Sequence, residues 1–359
     1  MTEVTLQLGG TPRERGVHHG EELRSLIEAA LGRWRGEMDR AGADPDRRIA
    51  SLAAIYRPIV EARTPELVAE VRGIAEGSSR TFDEILALNL MDEEWWFPDG
   101  GEAGCSLVAG RPRSADGADE PPVLVQNMDL PIWMDGLQTV LRVRHRGEDA
   151  SQERVILSAA GMIGLAGTRH GVLAIGVNTL LQLPRRVGGL PVAFVVRSAL
   201  ERPSAESAVG YLAALPHASG QHYGVVDAHD VYGVECSGFG AAVRRFPPGE
   251  WLRHTNHPLW SDPALVAEPA AAGISETRRR SSLQRLAALE RAMHPFPARS
   301  TLRESLADAD AGVCLTATTD STMATFGTVE FTPSRGSARI LAAHPSRGAW
   351  RMFGADEQQ

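Results

Sequence analysis

The chain has 359 residues, 43% of them hydrophobic and 23% charged, the proportions of an ordinary globular protein near the upper size limit for one domain. All 37 basic residues are Arg and none is Lys, which excludes a lysine Schiff base and a phosphate-loop lysine. A formal net charge of −8 argues against a nucleic-acid partner, which calls for a basic face.

Residues 1–10 read as one edge strand and lack the basic and apolar regions of a signal peptide. From Thr11 to about Trp96 the pattern is helical. Leu23, Leu26, Ile27, Ala30 and Leu31 share one face. Thr64-Pro65 opens another helix with an N-cap and a first-turn proline, and Thr81 with Glu84 has capping-box spacing. After Gly104 the texture changes to strands and turns. Val123 to Gln126, Leu137 to Arg146, Val155 to Leu157, Gly161 to Gly167 and Gly171 to Asn178 follow closely. Two helices (190–200 and 204–215) precede strands at 223–227, 231–236 and 241–246. A helix over Thr277–Met293 is expected to turn Leu283, Leu286, Leu289 and Met293 inward. A short helix at 301–306 and strands at 326–331 and 339–343 end the chain. This order predicts an α+β fold of two sheets covered by helices. The glycines of 161–176 lack the spacing of a dinucleotide loop, and no apolar run is long enough to span a membrane.

Cys105 begins the first apolar strand after a glycine-rich loop. If the Gly104–Cys105 bond were cut, Cys105 would carry a thiol and a free α-amine. Their pKa values, about 8.5 and about 8, let the amine take the thiol proton near neutrality. Such a nucleophile needs no separate His base. Glycine at 104 tolerates the twist that brings the thiol to the preceding carbonyl. The plainer reading is a small buried cysteine at a strand start. Cysteines at 105, 236 and 314 are too few and scattered for a disulfide framework, so a reduced, cytoplasmic protein is expected. Asp129 reads as a carboxylate beside the Cys105 strand or as a turn cap before Pro131. Asn127 lies two residues earlier, on the same face, where its amide is a candidate to hold the loop or the substrate. His254 and His257 are three apart, but Pro258 follows and no third ligand is near, so a metal is not expected. Nothing calls for a cofactor.

Several stretches together resemble the acyl-coenzyme A:6-aminopenicillanic acid acyltransferase family, autoproteolytic enzymes of the N-terminal nucleophile hydrolases. They are Gly104-Cys105-Ser106, Gln126-Asn127-Met128-Asp129, Gly161 to Gly167 with Gly171 to Leu180, Ala218-Ser219, and His254-Thr255-Asn256-His257. They run in the family's order between Gly16 and about Val329. The resemblance implies a four-layer αββα fold and self-cleavage at Gly104–Cys105. A helical chain 1–104 would then stay associated with a catalytic chain 105–359 as one domain. It implies Cys105 as nucleophile, Asp129 in support, and the Asn256 amide as oxyanion donor, with His254 and His257 bracing that loop. It also places Ser219 near the nucleophile, although an exposed helix-end serine is the simpler account. A Ser-Arg pair of the penicillin enzymes is matched here only by the hydroxyl of Ser321, so amide hydrolysis or transfer to another amine fits better. The implied substrate is a small acylated amine, with an acyl-donor thioester as a further partner and a Cys105 thioester as intermediate. Trp95, Trp96, Phe97, Trp133 and Met134 are candidates for an acyl pocket. Two alternatives stay open. One is an uncleaved hydrolase using one of the eleven His as base. The other is a non-catalytic ligand-binding member of the same fold.

Overall fold

A computed structural model describes residues 4–94, 104–114, 117–293, 297–317 and 322–354. β1 (Val4–Leu8) leads into the helices α1 (Pro12–Glu22), α2 (Arg24–Arg40), α3 (Pro45–Arg63), α4 (Pro65–Ser78), α5 (Phe82–Leu88) and α6 (Met91–Glu94). Thr11 and Thr81 close capping boxes with Glu14 and Glu84. Thr64 does not cap α4 with its side chain. Its hydroxyl donates back to the Val60 carbonyl at 2.9 Å, because α3 ends where α4 begins.

Two sheets follow. β2 (Gly104–Gly110), β3 (Val123–Pro131), β4 (Gln138–Val143), β5 (Arg154–Ala159), β6 (Ala166–Arg169) and β7 (Leu173–Thr179) precede α7 (Val192–Ala199) and α8 (Ala205–Ala214). Then come β8 (Gln221–Val226), β9 (Val231–Cys236), β10 (Ala241–Arg245), β11 (Leu252–His254), α9 (Glu276–Ala292), α10 (Arg299–Leu306), β12 (Met323–Thr332), β13 (Ser337–Leu341) and β14 (Arg351–Gly354). The larger sheet has the order β1-β4-β5-β6-β7-β8-β9-β10 and the smaller β11-β2-β3-β12-β13-β14. β1 runs parallel to β4; every other recorded strand pairing is antiparallel. The N-terminal helices, α7 and α8 cover the larger sheet, while α9 and α10 cover the smaller. The four layers are αββα. β4 is buried along nearly its whole length. Helices lie outside, and the second sheet lies inside.

Gly176, Gly224 and Gly233 pair side by side across β7, β8 and β9. A Cβ at Gly176 or Gly224 would fall 2.7 or 2.9 Å from a Leu107 methyl carbon, and one at Gly233 would fall 2.9 Å from the Trp260 ring. This bare row lets the sheets meet closely just below Cys105. Helices α1 and α4 pack backbone to backbone in the same way. A Cβ at Gly16 or Gly73 would fall 2.0 or 2.3 Å from a facing carbonyl oxygen.

Candidate active site

β2 and β3 form the antiparallel pair expected, with Gly104 opposite Asp129 and Cys105 opposite Met128. Strand alternation puts Cys105, with Leu107, between the sheets and Ser106 toward α9. Cys105 is 3% exposed. Its N–H donates to Asn256 Oδ1 at 2.8 Å, joining two motifs far apart in the chain. Burial pushes the thiol well above its usual pKa, and the Asp129 carboxylate adds to the effect.

Asn256 follows β11, the edge partner of β2. Its N–H is held by Ser282 Oγ at 2.9 Å, and its amide nitrogen donates to the Thr179 carbonyl at 3.1 Å. A carboxamide nitrogen carries two protons, so one fixes the amide and the second is left over. His257 Nδ1 meets Ser282 Oγ at 2.8 Å, and burial lowers its pKa to about 4. His254 is fully buried between the Thr255 carbonyl, 2.8 Å away, and Glu235, 2.9 Å away.

Asp129 lies inside β3 rather than capping a turn. Thr325 Oγ1 donates to its Oδ1 at 2.7 Å, while Oδ2 has no hydrogen-bond partner among the described residues. That free oxygen faces Gly104: a Cβ there would fall 3.3 Å from it. Burial raises the Asp129 pKa. Asn127 shares this face, but its amide is spent on the Leu306 and Val313 carbonyls and on Thr328 Oγ1, tying β3 to α10 and to the segment after it.

Ser219 is buried, not exposed, in the turn before β8. It donates to Glu93 Oε1 at 2.8 Å. Glu93 also accepts from Val192 N, and its neighbour Asp92 accepts from Thr179 Oγ1 at 3.0 Å. Burial raises both carboxyls, and the charge of Asp92 raises Glu93 further. This acidic pair behind Thr179 escaped sequence reasoning.

So did Arg285. The inward face of α9 is Ser282, Arg285, Ala288 and Leu289, whereas Leu283 is 41% exposed. Arg285 donates to the Cys105 carbonyl at 2.5 Å, Ser106 Oγ at 3.0 Å and Asn256 Oδ1 at 2.9 Å. Burial lowers its pKa, against the raising effect of Asp129 and Cys105. A guanidinium therefore does reach Cys105, from a helix rather than from the 318–325 stretch. Ser321 lies outside the described residues, as do Trp95, Trp96 and Phe97. A cavity of about 280 Å³ opens beside Gly104, Asn256 and Arg285, with Leu181, Leu315 and Met323 as apolar wall. Trp133 and Met134 pack in the core and do not line it.

Among the described residues no histidine is hydrogen-bonded to Cys105. A second thiol, Cys314, lies 3.6 Å from His344 Nε2, which also faces the Leu315 carbonyl at 3.1 Å. His344 Nδ1 accepts from Ser346 N, so Nε2 holds the proton and cannot take one from the thiol.

A sequence profile described as acyl-coenzyme A:6-aminopenicillanic acid acyl-transferase matches residues 118–347. The 40 kDa form of the acyl-coenzyme A:6-aminopenicillanic-acid-acyltransferase of Emericella nidulans is 28% identical over 271 residues, 72% of this chain and 70% of that protein. Among solved structures, an N-acylethanolamine-hydrolyzing acid amidase ortholog of Caenorhabditis elegans aligns over 64% of this chain and 93% of its own, at 14% identity and a TM-score of 0.43. Penicillin V acylase from Agrobacterium tumefaciens aligns over 69% and 86%, at 15% identity and a TM-score of 0.42. The profile covers well over half of the sequence, and on that match the chain belongs to the acyl-coenzyme A:6-aminopenicillanic acid acyl-transferase family.

Proposed function

We propose that the protein cuts itself at Gly104–Cys105 and then works as a cysteine amidohydrolase or N-acyltransferase on a small acylated amine. The observation that carries this reading is the 2.8 Å bond from Cys105 N to Asn256, with Arg285 on the adjoining carbonyl. It centres the family's two most distinctive motifs on one nitrogen, the one that cleavage turns into an amine. A thiol this buried does not ionise unaided, so a neutral amine on the same residue is the fitting base.

In the first step Cys105 Sγ adds to the Gly104 carbonyl carbon and the peptide nitrogen leaves as the α-amine. Water then hydrolyses the thioester, freeing the Gly104 carboxylate. Asp129 Oδ2, idle beside Gly104, is placed to accept a proton or bond in that step. In turnover the α-amine takes the thiol proton and the thiolate attacks the substrate amide. The second N–H of Asn256 and a backbone N–H hold the oxyanion, and the ammonium protonates the leaving amine. Water or a second amine then takes the acyl group from the Cys105 thioester and frees the thiol, while an acyl thioester is a further donor for the acylation step. Ser219 supports the site through Glu93. Chains 1–104 and 105–359 stay joined as one domain. All three cysteines are buried and free, which suits a cytoplasmic enzyme, and no helix of the described residues is long and apolar enough to cross a membrane.

The test exploits the absence of Lys. Cleavage creates a primary amine at Cys105 in a sequence without Lys, so an amine-directed label on purified protein should mark a chain that starts at Cys105. Intact-mass measurement should give the two pieces, and Cys105→Ala should stay whole. Cleavage of that variant at the same bond would sink the proposal. A panel of N-acyl nitroanilides and N-acyl amino acids then defines the substrate.

A further inference from the structure

Glu235, near the end of β9, has a fully buried side chain and five donors around it. Oε1 accepts from His254 Nε2 at 2.9 Å and Leu259 N at 2.6 Å. Oε2 accepts from Trp260 N at 3.3 Å, Ser261 N at 2.8 Å and Ser261 Oγ at 2.5 Å. The donors come from both sides of Asn256 in sequence: His254 before it, residues 259–261 after it. One carboxylate thus closes the base of the loop from which Asn256 projects.

The ring of His254 is held from other directions as well. It stacks on His222, with centroids 3.7 Å apart and planes 2° from parallel, and the edge of Trp260 meets both rings. His222 Nδ1 bonds Asn178 Oδ1 at 2.9 Å, and Asn178 precedes Thr179, whose carbonyl holds the Asn256 amide. The brace and the amide it serves therefore end on the same strand, β7. A buried carboxylate is costly and is tolerated where donors surround it. Burial pushes the acid form of Glu235, but the bonds from His254, Ser261 and Leu259 win and hold its pKa below the usual range.

We propose that Glu235 is a positioning residue for the reaction, setting the Asn256 amide by pinning both ends of its loop. The proposal rests on the oxyanion role given to Asn256 above. An amide cannot replace this carboxylate, because each oxygen accepts at least two donors and a Gln nitrogen would face N–H groups.

The test is a double-mutant cycle in the processed protein, read on the best substrate of the nitroanilide panel. Glu235→Gln should lower kcat at least about tenfold and leave KM within about threefold. On an Asn256→Ala background it should cost nothing further, because Glu235 acts only through that side chain. A merely structural role would lower activity by the same factor on both backgrounds. If Glu235→Gln does not fold, Ser261→Ala removes one donor and should lower kcat about two- to fivefold with the same non-additivity. Unchanged kcat in a folded Glu235→Gln, or losses that multiply in the cycle, overturns the proposal. If Asn256→Ala keeps full kcat, the oxyanion assignment itself falls. If Asn256→Ala is crippled while Glu235→Gln is normal, only the positioning role falls.

Discussion

Arg285 serves three acceptors with one guanidinium, and two of them, the Cys105 carbonyl and Asn256 Oδ1, lie beside the Cys105 thiol's own backbone. Arg285→Met leaves both without a charged donor in a dry site, where an unmet acceptor costs about 1–3 kcal/mol. Turnover by the processed enzyme should fall about 10²-fold, and Arg285→Lys should recover only part, since a point charge cannot span the fork. Steady-state kinetics of both variants, beside thermal melts to confirm folding, decide this; full activity in Arg285→Met would remove the residue from the site. The histidines were easier to read than this arginine. His254 and His257 stand in a motif that the family resemblance singles out, and that resemblance gives them the bracing of the Asn256 loop. Arg285 was hidden because α9 offers two stripes. Leu283 and Leu286 suggest one face, whereas Ser282, Arg285 and Leu289 form the buried one. A charged residue at core spacing is the available signal, and apolar periodicity outvoted it.

At the scale of elements, the strands around Cys105 are legible because short apolar runs bounded by turn residues are local properties. β11 and β14, three and four residues long, are too short to show a pattern of their own, and the partner of β11, β2, lies far away in sequence. The glycine row across β7–β9 was visible only as scattered glycines. Gly224→Ala should press on Leu107, two residues from Cys105, at a cost of about 1–3 kcal/mol. Thermal melts should show the loss, and adding Leu107→Val should restore part of it; a neutral Gly224→Ala would mean that the sheets can slide apart freely. A second element test concerns α1. His19 Nε2 accepts from Gly161 N at 3.0 Å, and burial lowers its pKa to about 4. Between pH about 6.5 and 4 the unfolded chain binds a proton that the fold refuses, so this residue's stability contribution is complete above that window and declines as pH falls through it. His19→Gln does not titrate. The gap in melting temperature between wild type and variant should therefore shift against wild type from pH 7.5 to 5. A gap independent of pH would show His19 charged or exposed.

For the whole molecule, the αββα layering followed from the order of helices and strands together with the family likeness. What the sequence concealed is how thoroughly residues 4–94 are tied to the rest. Glu70 of α4 binds Arg15 of α1 at 3.1 Å and Arg197 of α7 at 2.8 Å, all three buried. Asn89 holds Gly161 and Ile163, and Arg33 reaches the carbonyls of Trp133 and Asp135. The halves of such an ion cluster lie far apart in sequence, so no local pattern announces it. After cleavage the two chains should run as two bands under denaturing conditions yet elute from a sizing column as one particle. Separation in native buffer would contradict these contacts.

β1 carries a consequence of a different kind. It belongs to the segment before the proposed cut, yet it is the edge strand of the larger sheet, laid parallel on β4. In an intact chain that strand finds its place by a unimolecular search, at a rate indifferent to dilution. Once the chain is in two pieces, the same search becomes an encounter between molecules, and its speed depends on their concentration. Maturation would then act as a ratchet: it leaves the native contacts as they were but removes the easy way back to them. Processed protein, unfolded and returned to native buffer, should recover less completely the more dilute it is, while intact Cys105→Ala recovers equally at every dilution.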